Sequence, residues 1–390
     1  MSTVTFDEKS SEFGKVLKKR VYGYLKDNNL SQTAARAAIF KILVIAVCTL
    51  GSYFYLLLGN PSTGGAILTS IFLGIVIGAI GFNILHESVH GNLSKNPKIS
   101  RLSLYAWELL GACHRFYNFR HVIIHHSFTN IPGVDADLEN EPLLRFTEKQ
   151  AFRPWHRYQH WYAWFLYPFI TLEWIWHADW VTNKTHKLAF YRIPMSTEGE
   201  KKTFYFFKFT HLLYALVIPS LLHPVLSVLG CYFLALTVSG FILGIVFNLA
   251  HALDSVHYPE PDPKKNQIAQ DWASHQIRTT KNFANSNPIL SSYLGGLNYQ
   301  VEHHLFPRIH HSLYPKIKPI VMQTCAEFNL QYQEYRTLAE GIASHFRHLY
   351  AMGHPQAKAN VKFTGEKTLD SSFSTLPHAG EFEPKAVSVY

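Results

Sequence analysis

At 390 residues, 47% hydrophobic and 15% aromatic, the chain could form one large domain or two and is rich in apolar side chains for a soluble protein. Its four cysteines, Cys48, Cys113, Cys231 and Cys325, show no paired spacing, which excludes a disulfide framework and a cysteine metal site. The formal charge of +9 is assigned to membrane topology, anionic headgroups and an acidic protein partner, and no nucleic-acid partner is expected.

Residues 1–38 read as a cytoplasmic amphipathic lead-in, with Lys15, Lys18 and Lys19 interleaved among Val16, Leu17, Val21 and Leu25 at helical spacing. The expectation is a helix lying on the membrane surface. No cleavable signal peptide is expected, because the chain stays polar for roughly 40 residues before its first apolar run.

The membrane domain is expected over residues 39–350. Apolar runs at 42–58 and 66–85 carry no charge, and a run of about 20 residues at 1.5 Å per residue covers about 30 Å of hydrocarbon. A second pair is read at 204–222, interrupted by Lys208 and His211, and at 226–250, separated by the turn at His223-Pro224. Neither that turn nor the loop Gly59–Gly65 contains Lys or Arg, whereas the N-terminal segment, the long middle stretch and the C-terminal third are basic. By the positive-inside rule, both termini and everything between the pairs face the cytoplasm. Leu102–Cys113 and Trp161–Trp176 are too short or too charged to cross, and the second, with Trp161, Trp164, Trp174 and Trp176, is expected at headgroup level. Helical patterning resumes over 314–350, and 351–390 reads as a disordered tail.

Of 23 histidines, the informative ones form three groups and a singleton. His86-Glu87-Ser88-Val89-His90 sits at the polar end of the second run, His121-Val122-Ile123-Ile124-His125-His126 in the middle stretch, and Gln300-Val301-Glu302-His303-His304 in the C-terminal third. His251 ends the fourth run, with Asn248 three residues before it. Histidines four apart share a helix face about 5–6 Å apart, so each pair can approach one metal. Eight imidazoles exceed what a single zinc site uses and argue for two metals of higher coordination. Imidazole suits zinc, copper, iron and nickel alike, so the residues alone leave the metal open. His86-Glu87-x-x-His90 also matches the zinc metalloprotease pattern with Glu87 as base, but a protease leaves His121, His125, His126, His303 and His304 without a task. A carboxylate-bridged bundle needs two Glu-x-x-His motifs, and only Glu87-x-x-His90 qualifies. A four-span transporter would place polar groups inside the spans, whereas here they lie at or beyond the ends.

Together these features resemble the membrane fatty acid desaturases, whose three histidine boxes follow this order between and after two helix pairs. The likeness covers roughly residues 40–350 and is strongest to the front-end, linoleoyl-CoA-desaturase-like branch, in which glutamine begins the third box, as in Asn298-Tyr299-Gln300-Val301-Glu302-His303-His304-Leu305-Phe306-Pro307. His125-His126-Ser127-Phe128-Thr129-Asn130 and Phe247-Asn248-Leu249-Ala250-His251 are also similar to that branch. The resemblance implies an all-α integral membrane protein of four transmembrane helices, whose cytoplasmic helical cap holds a histidine-ligated di-iron site. It implies His86, His90, His121, His125, His126, His251, His303 and His304 as iron ligands, Gln300 in the remaining box position, Asn248 acting through a water and Glu87 supporting an imidazole. It further implies O2 as oxidant, a lipid or acyl-thioester substrate, and an apolar tunnel near Trp107, Tyr117 and Phe247 that sets which bond is oxidised. The implied setting is a bacterial inner or thylakoid membrane. The haem motif of fused family members is missing, so electrons are expected from ferredoxin or a haem cytochrome. A hydroxylase or acetylenase on the same scaffold is the alternative outcome.

Overall fold

Apolar side chains without intervening charge favour long helices whose backbone groups bond internally, the arrangement a bilayer demands. Four helices are long and apolar enough to cross a membrane: Ala38–Leu58, Thr63–His90, Glu198–Leu222 and Val225–His251. Each is longer than the run expected from the sequence. The second and fourth continue through His86, His90 and His251, and the third begins at a capping box in which Thr197 and Glu200 bond each other's backbone N–H groups. The computed structural model describes residues 4–7, 12–33, 36–139 and 142–355.

The second and fourth spans are the central pair. Of their most apolar windows 39% and 50% is buried, against 6% and 11% for the first and third. Glycines at the contact let the two backbones approach: a Cβ on Gly74 would lie 2.5 Å from the Ala235 carbonyl oxygen, and one on Gly78 would lie 3.5 Å from Ile242. Since these two helices carry His86, His90 and His251 at one end, their packing sets the spacing of those imidazoles.

The Trp-rich segment belongs to a helical rod running from Gln159 to Thr185 through α, 3-10 and π turns. Ala163, Tyr167, Thr171, Ile175, Asp179 and Thr182 form its buried face, while Trp161, Phe165 and Phe169 point outward. Its buried face lies along the fourth span, where a Cβ on Gly240 would collide with the Pro168 carbonyl oxygen. The expected surface helix is therefore also a packing partner of the span.

The N-terminal helix, Glu12–Asp27, departs from expectation. Phe13, Leu17, Val21 and Leu25 are buried in one cluster with Ile277, Val301, Leu305, Ile317, Val321 and Cys325. The stripe that suggested membrane adsorption is covered by protein, because apolar residues of helices Trp272–Thr279, Gln300–Leu305 and Tyr314–Glu327 pack on it. Strand Thr5–Phe6, paired in parallel with Gln267–Ile268, ties this segment to the same body. The patterning over 314–350 resolves into Tyr314–Glu327 and Leu338–Gly353, broken at Asn329 and at strand Glu334–Tyr335, which pairs with Asn282–Phe283. The last helix thus takes in the first residues of the expected tail, whose remainder from 356 lies outside the described residues.

Phe13→Ala should lower unfolding stability by about 3–5 kcal/mol, as for buried aromatic truncations, while Lys15→Ala on the exposed face should change it by less than about 0.5 kcal/mol. Denaturant unfolding in detergent checks both, and equal effects would contradict a protein-covered stripe.

Candidate metal centre

The histidine-bearing segments reach the centre through irregular turns. A π-helical turn, Gly81–Leu85, precedes His86, and another, Phe119–His125, carries the second group. Such turns shift the angular register of the residues after them and recur at functional sites. In the second group the shift matters. His121 Nε2 lies 3.2 Å from His126 Nε2, whereas His125 Nε2 lies 3.3 Å from His251 Nε2. His121 and His125 do lie together, grouped with Asp137 and with their rings stacked at 5.5 Å, but their Nε2 atoms face different clusters.

His86, His90, His121 and His303 form one cluster and His125, His251 and His304 another, each with ligand atoms within 4.8 Å of one another. His86 Nε2 is 3.1 Å from both His121 Nε2 and His303 Nε2. His126 stands between the clusters, its ring 4.6 Å from His303 and 4.3 Å from His304. All of these rings except that of His251 are buried.

Outer partners assign the protons. His304 Nδ1 is 2.9 Å from Gln276 Oε1, an atom that can only accept, so Nδ1 carries the hydrogen and Nε2 is a bare lone pair. His125 Nδ1 meets the Asp135 carboxylate at 2.9 Å, and His251 Nδ1 faces the Thr279 carbonyl at 3.4 Å. His303 Nδ1 lies 3.1 Å from the Tyr314 hydroxyl. These contacts turn lone pairs inward, and Nε2 of His90 and of His304 are buried without a hydrogen-bond partner. Unmet polar atoms of this kind are costly unless a cation joins them. Metal–nitrogen bonds of about 2.0–2.1 Å at angles between 90° and 109° separate neighbouring ligand nitrogens by about 2.9–3.4 Å. The observed 3.1–3.3 Å separations therefore suit a metal ion in each cluster.

The electrostatics agree. Burial, followed by repulsion from neighbouring imidazoles, lowers the pKa of His121, His126, His303 and His304 well below the usual value, keeping them neutral as ligands must be. His125 differs: burial opposes its charge, but Asp135 and Asp137 outweigh burial and raise its pKa. Asp135 is itself fixed by N–H donors from Asn130 at 2.8 Å and Asp137 at 3.0 Å.

The other expected residues surround these clusters. Gln300 is buried and hydrogen-bonds His251. Asn248 donates to Gly244 O at 2.7 Å within its own helix. Glu87 is buried and faces His310 Nε2 at 3.6 Å, His311 Nδ1 at 3.4 Å and His86 Nδ1 at 3.8 Å. This neighbourhood does not suit a metalloprotease base, which must face a metal-bound water. Asp135, Gln276, Tyr314, His310 and His311 were absent from the sequence expectations. The doublet His310-His311, soon after the third box, offered a signal, and Gln276 lies in the stretch 275–283, which is also similar to the front-end branch.

An apolar cavity of about 1030 Å³ opens beside the centre. Leu85, Trp107, Tyr117 and Phe247 line its inner end, and Asn60, Pro61, His223 and Pro224 its far end. The expected tunnel residues thus line one cavity. Tyr117 stacks on His121 at 5.0 Å, so a single aromatic ring separates cavity from cluster. From Pro224 to Phe247 the lining follows the fourth span for about 35 Å at 1.5 Å per residue.

The family model for fatty acid desaturases matches residues 61–336. An sn-1 linoleoyl-lipid 6-desaturase from Arthrospira platensis is 35% identical over 368 residues, covering 93% of this chain and 98% of the relative. A protein of the same name from Synechocystis sp. is 32% identical, covering 87% and 95%. An acyl-lipid (8-3)-desaturase from Physcomitrium patens is 31% identical, covering 89% and 73%.

Asp135→Asn keeps the shape but loses the carboxylate behind His125. Metal affinity should fall about 10–100-fold, as for other lost outer partners of ligating histidines, and chelator competition measures it.

Proposed function

This chain belongs to the fatty acid desaturase family, and on that premise we propose that it places a double bond on the carboxyl side of an existing one in a lipid-bound acyl chain, at two iron ions. The observation that carries the proposal is the meeting of inward-facing imidazole lone pairs with the inner end of a long apolar cavity. His86, His90, His121 and His303 would hold one iron and His125, His251 and His304 the other, with His126 between them and Gln300 supporting His251. Iron, when bound, supplies the redox centre at which O2 is activated for removing hydrogen from unactivated methylenes. The balance is one CH2–CH2 unit, O2, two electrons and two protons giving one CH=CH unit and two waters.

The remaining task is positional, since adjacent methylenes differ little in reactivity. Each buried CH2 contributes about 0.8 kcal/mol, so an acyl chain binds strongly in an apolar cavity whatever its register. Register depends on the walls. Tyr117 is stacked on both Trp107, at 4.2 Å, and His121, which fixes the wall nearest the centre. A cavity following the span for more than the roughly 30 Å of a bilayer core leaves room for a long methyl-side remainder when the reacting carbons lie close to the carboxyl. That geometry favours front-end oxidation, in keeping with the linoleoyl-lipid 6-desaturase names of two relatives.

The cap bearing the histidines would face the cytoplasm of a bacterial inner or thylakoid membrane, with the charge-free connections at Gly59–Gly65 and His223-Pro224 on the other side. Lys15, Lys18, Lys19 and Lys26, exposed on the N-terminal helix, offer a surface for an acidic ferredoxin or haem cytochrome.

Expression in a host lacking polyunsaturated fatty acids, with labelled linoleate supplied, tests the proposal. Gas chromatography–mass spectrometry should show a new double bond between the carboxyl group and the existing ones, lost in His90→Ala; a hydroxylated product or unchanged linoleate would refute it. Gly230 lines the cavity, and a Cβ there meets nothing within 4 Å. Gly230→Phe should therefore shift the products of mixed substrates toward shorter chains without loss of folding; an unchanged profile would place the acyl tail elsewhere.

A further inference from the structure

Glu87 is a fully buried carboxylate that none of the proposed metal-binding nitrogens uses, and it sits among three imidazoles. The tautomers of two of them are set by their outer contacts. His310 Nδ1 accepts the Ser312 backbone N–H at 3.3 Å, so in the neutral ring Nε2 carries the hydrogen and points at Glu87 Oε2, 3.6 Å away. His311 Nε2 is 3.0 Å from Lys41 Nζ, and an ammonium can only donate. The hydrogen of His311 is therefore on Nδ1, facing Glu87 Oε1 at 3.4 Å. Lys41 is held in turn by the Ser292 carbonyl at 3.2 Å. The backbone makes room for this arrangement, because Gly296, at φ +70°, would place a Cβ 2.6 Å from the His311 Cβ.

Both histidines thus turn an N–H toward the carboxylate at ion-pair range, short of formed hydrogen bonds, and its remaining neighbour is His86 Nδ1 at 3.8 Å. We propose that Lys41, His310 and His311 are positioning residues: they hold Glu87 against Nδ1 of His86, so that the His86 hydrogen stays on Nδ1 and its Nε2 stays free toward His121 and His303. The inference rests on the proposed metal centre. It links the first span, through Lys41, to a ligand at the end of the second, and it gives the His310-His311 doublet a role distinct from metal binding. The same carboxylate and two imidazoles could instead hold a third metal, since their atoms lie within 4.8 Å of one another. The Lys41 contact argues against that, because it places a cation on the far nitrogen of His311.

The test measures iron(II) retained per chain by the purified full-length protein, under anaerobic conditions, against rising chelator. His311→Leu and Glu87→Gln should weaken retention about 10–100-fold, the usual cost of a lost outer partner. His311→Gln, which keeps an N–H donor, should recover part of that loss, and Lys41→Met should cost less than His311→Leu. Melting of the metal-free protein identifies any variant that fails to fold, in which case Glu87→Gln and Lys41→Met decide the matter. Normal retention in those folded variants, beside loss in His90→Ala, overturns the positioning role alone. Normal retention in His90→Ala as well overturns the metal centre itself. Three irons in the parent chain, falling to two in Glu87→Gln or His311→Leu, would make the cluster a metal site and overturn the inference.

Discussion

Imidazoles can share a buried volume only if each ring has somewhere to put its hydrogen and something to meet its lone pair. Here the outer nitrogens of His125, His251, His303 and His304 are matched to a carboxylate, a carbonyl, a phenol and an amide oxygen, while inner nitrogens converge at 3.1–3.3 Å. The rest of the structure is arranged around that constraint. The central spans deliver His86, His90 and His251, and the loop beyond the second group delivers Asp135. Residues 272–279 bring Gln276, which receives His304 and donates to the His126 carbonyl at 3.1 Å. Without these partners the lone pairs would repel, and the desolvation cost of each ring would stand uncompensated.

The same packing that spaces the imidazoles leaves the cavity. The second and fourth spans meet through small side chains, while the first and third stay peripheral. An interior apolar volume therefore remains between them, ending at Tyr117 against His121. The histidine clusters and the cavity are consequences of one helix arrangement, so under the proposed function changes deep in the spans should be felt in regiochemistry.

Much of this was legible along the chain. A run such as Ala66–Leu85 has few alternatives to a membrane helix, and His86-x-x-x-His90 continues it at helical spacing, so its sidedness is set by the same run. Other features were opaque for identifiable reasons. The Phe13–Leu25 stripe could be buried by lipid or by protein, and only the partner helices decided for protein. That the Nε2 atoms of His121 and His125 face different clusters depended on a π turn, which has no local composition signal.

The sequence by itself determined the four spans, the three histidine groups and the family, because these depend on local periodicity, hydropathy and motif. The tertiary structure decided which imidazoles face one another, which side chains hold their outer nitrogens, and that Glu87 sits among His86, His310 and His311. Those relations join residues as far apart as Lys41 and His311, 270 positions along the chain, and their tautomers depend on contacts that no local pattern encodes.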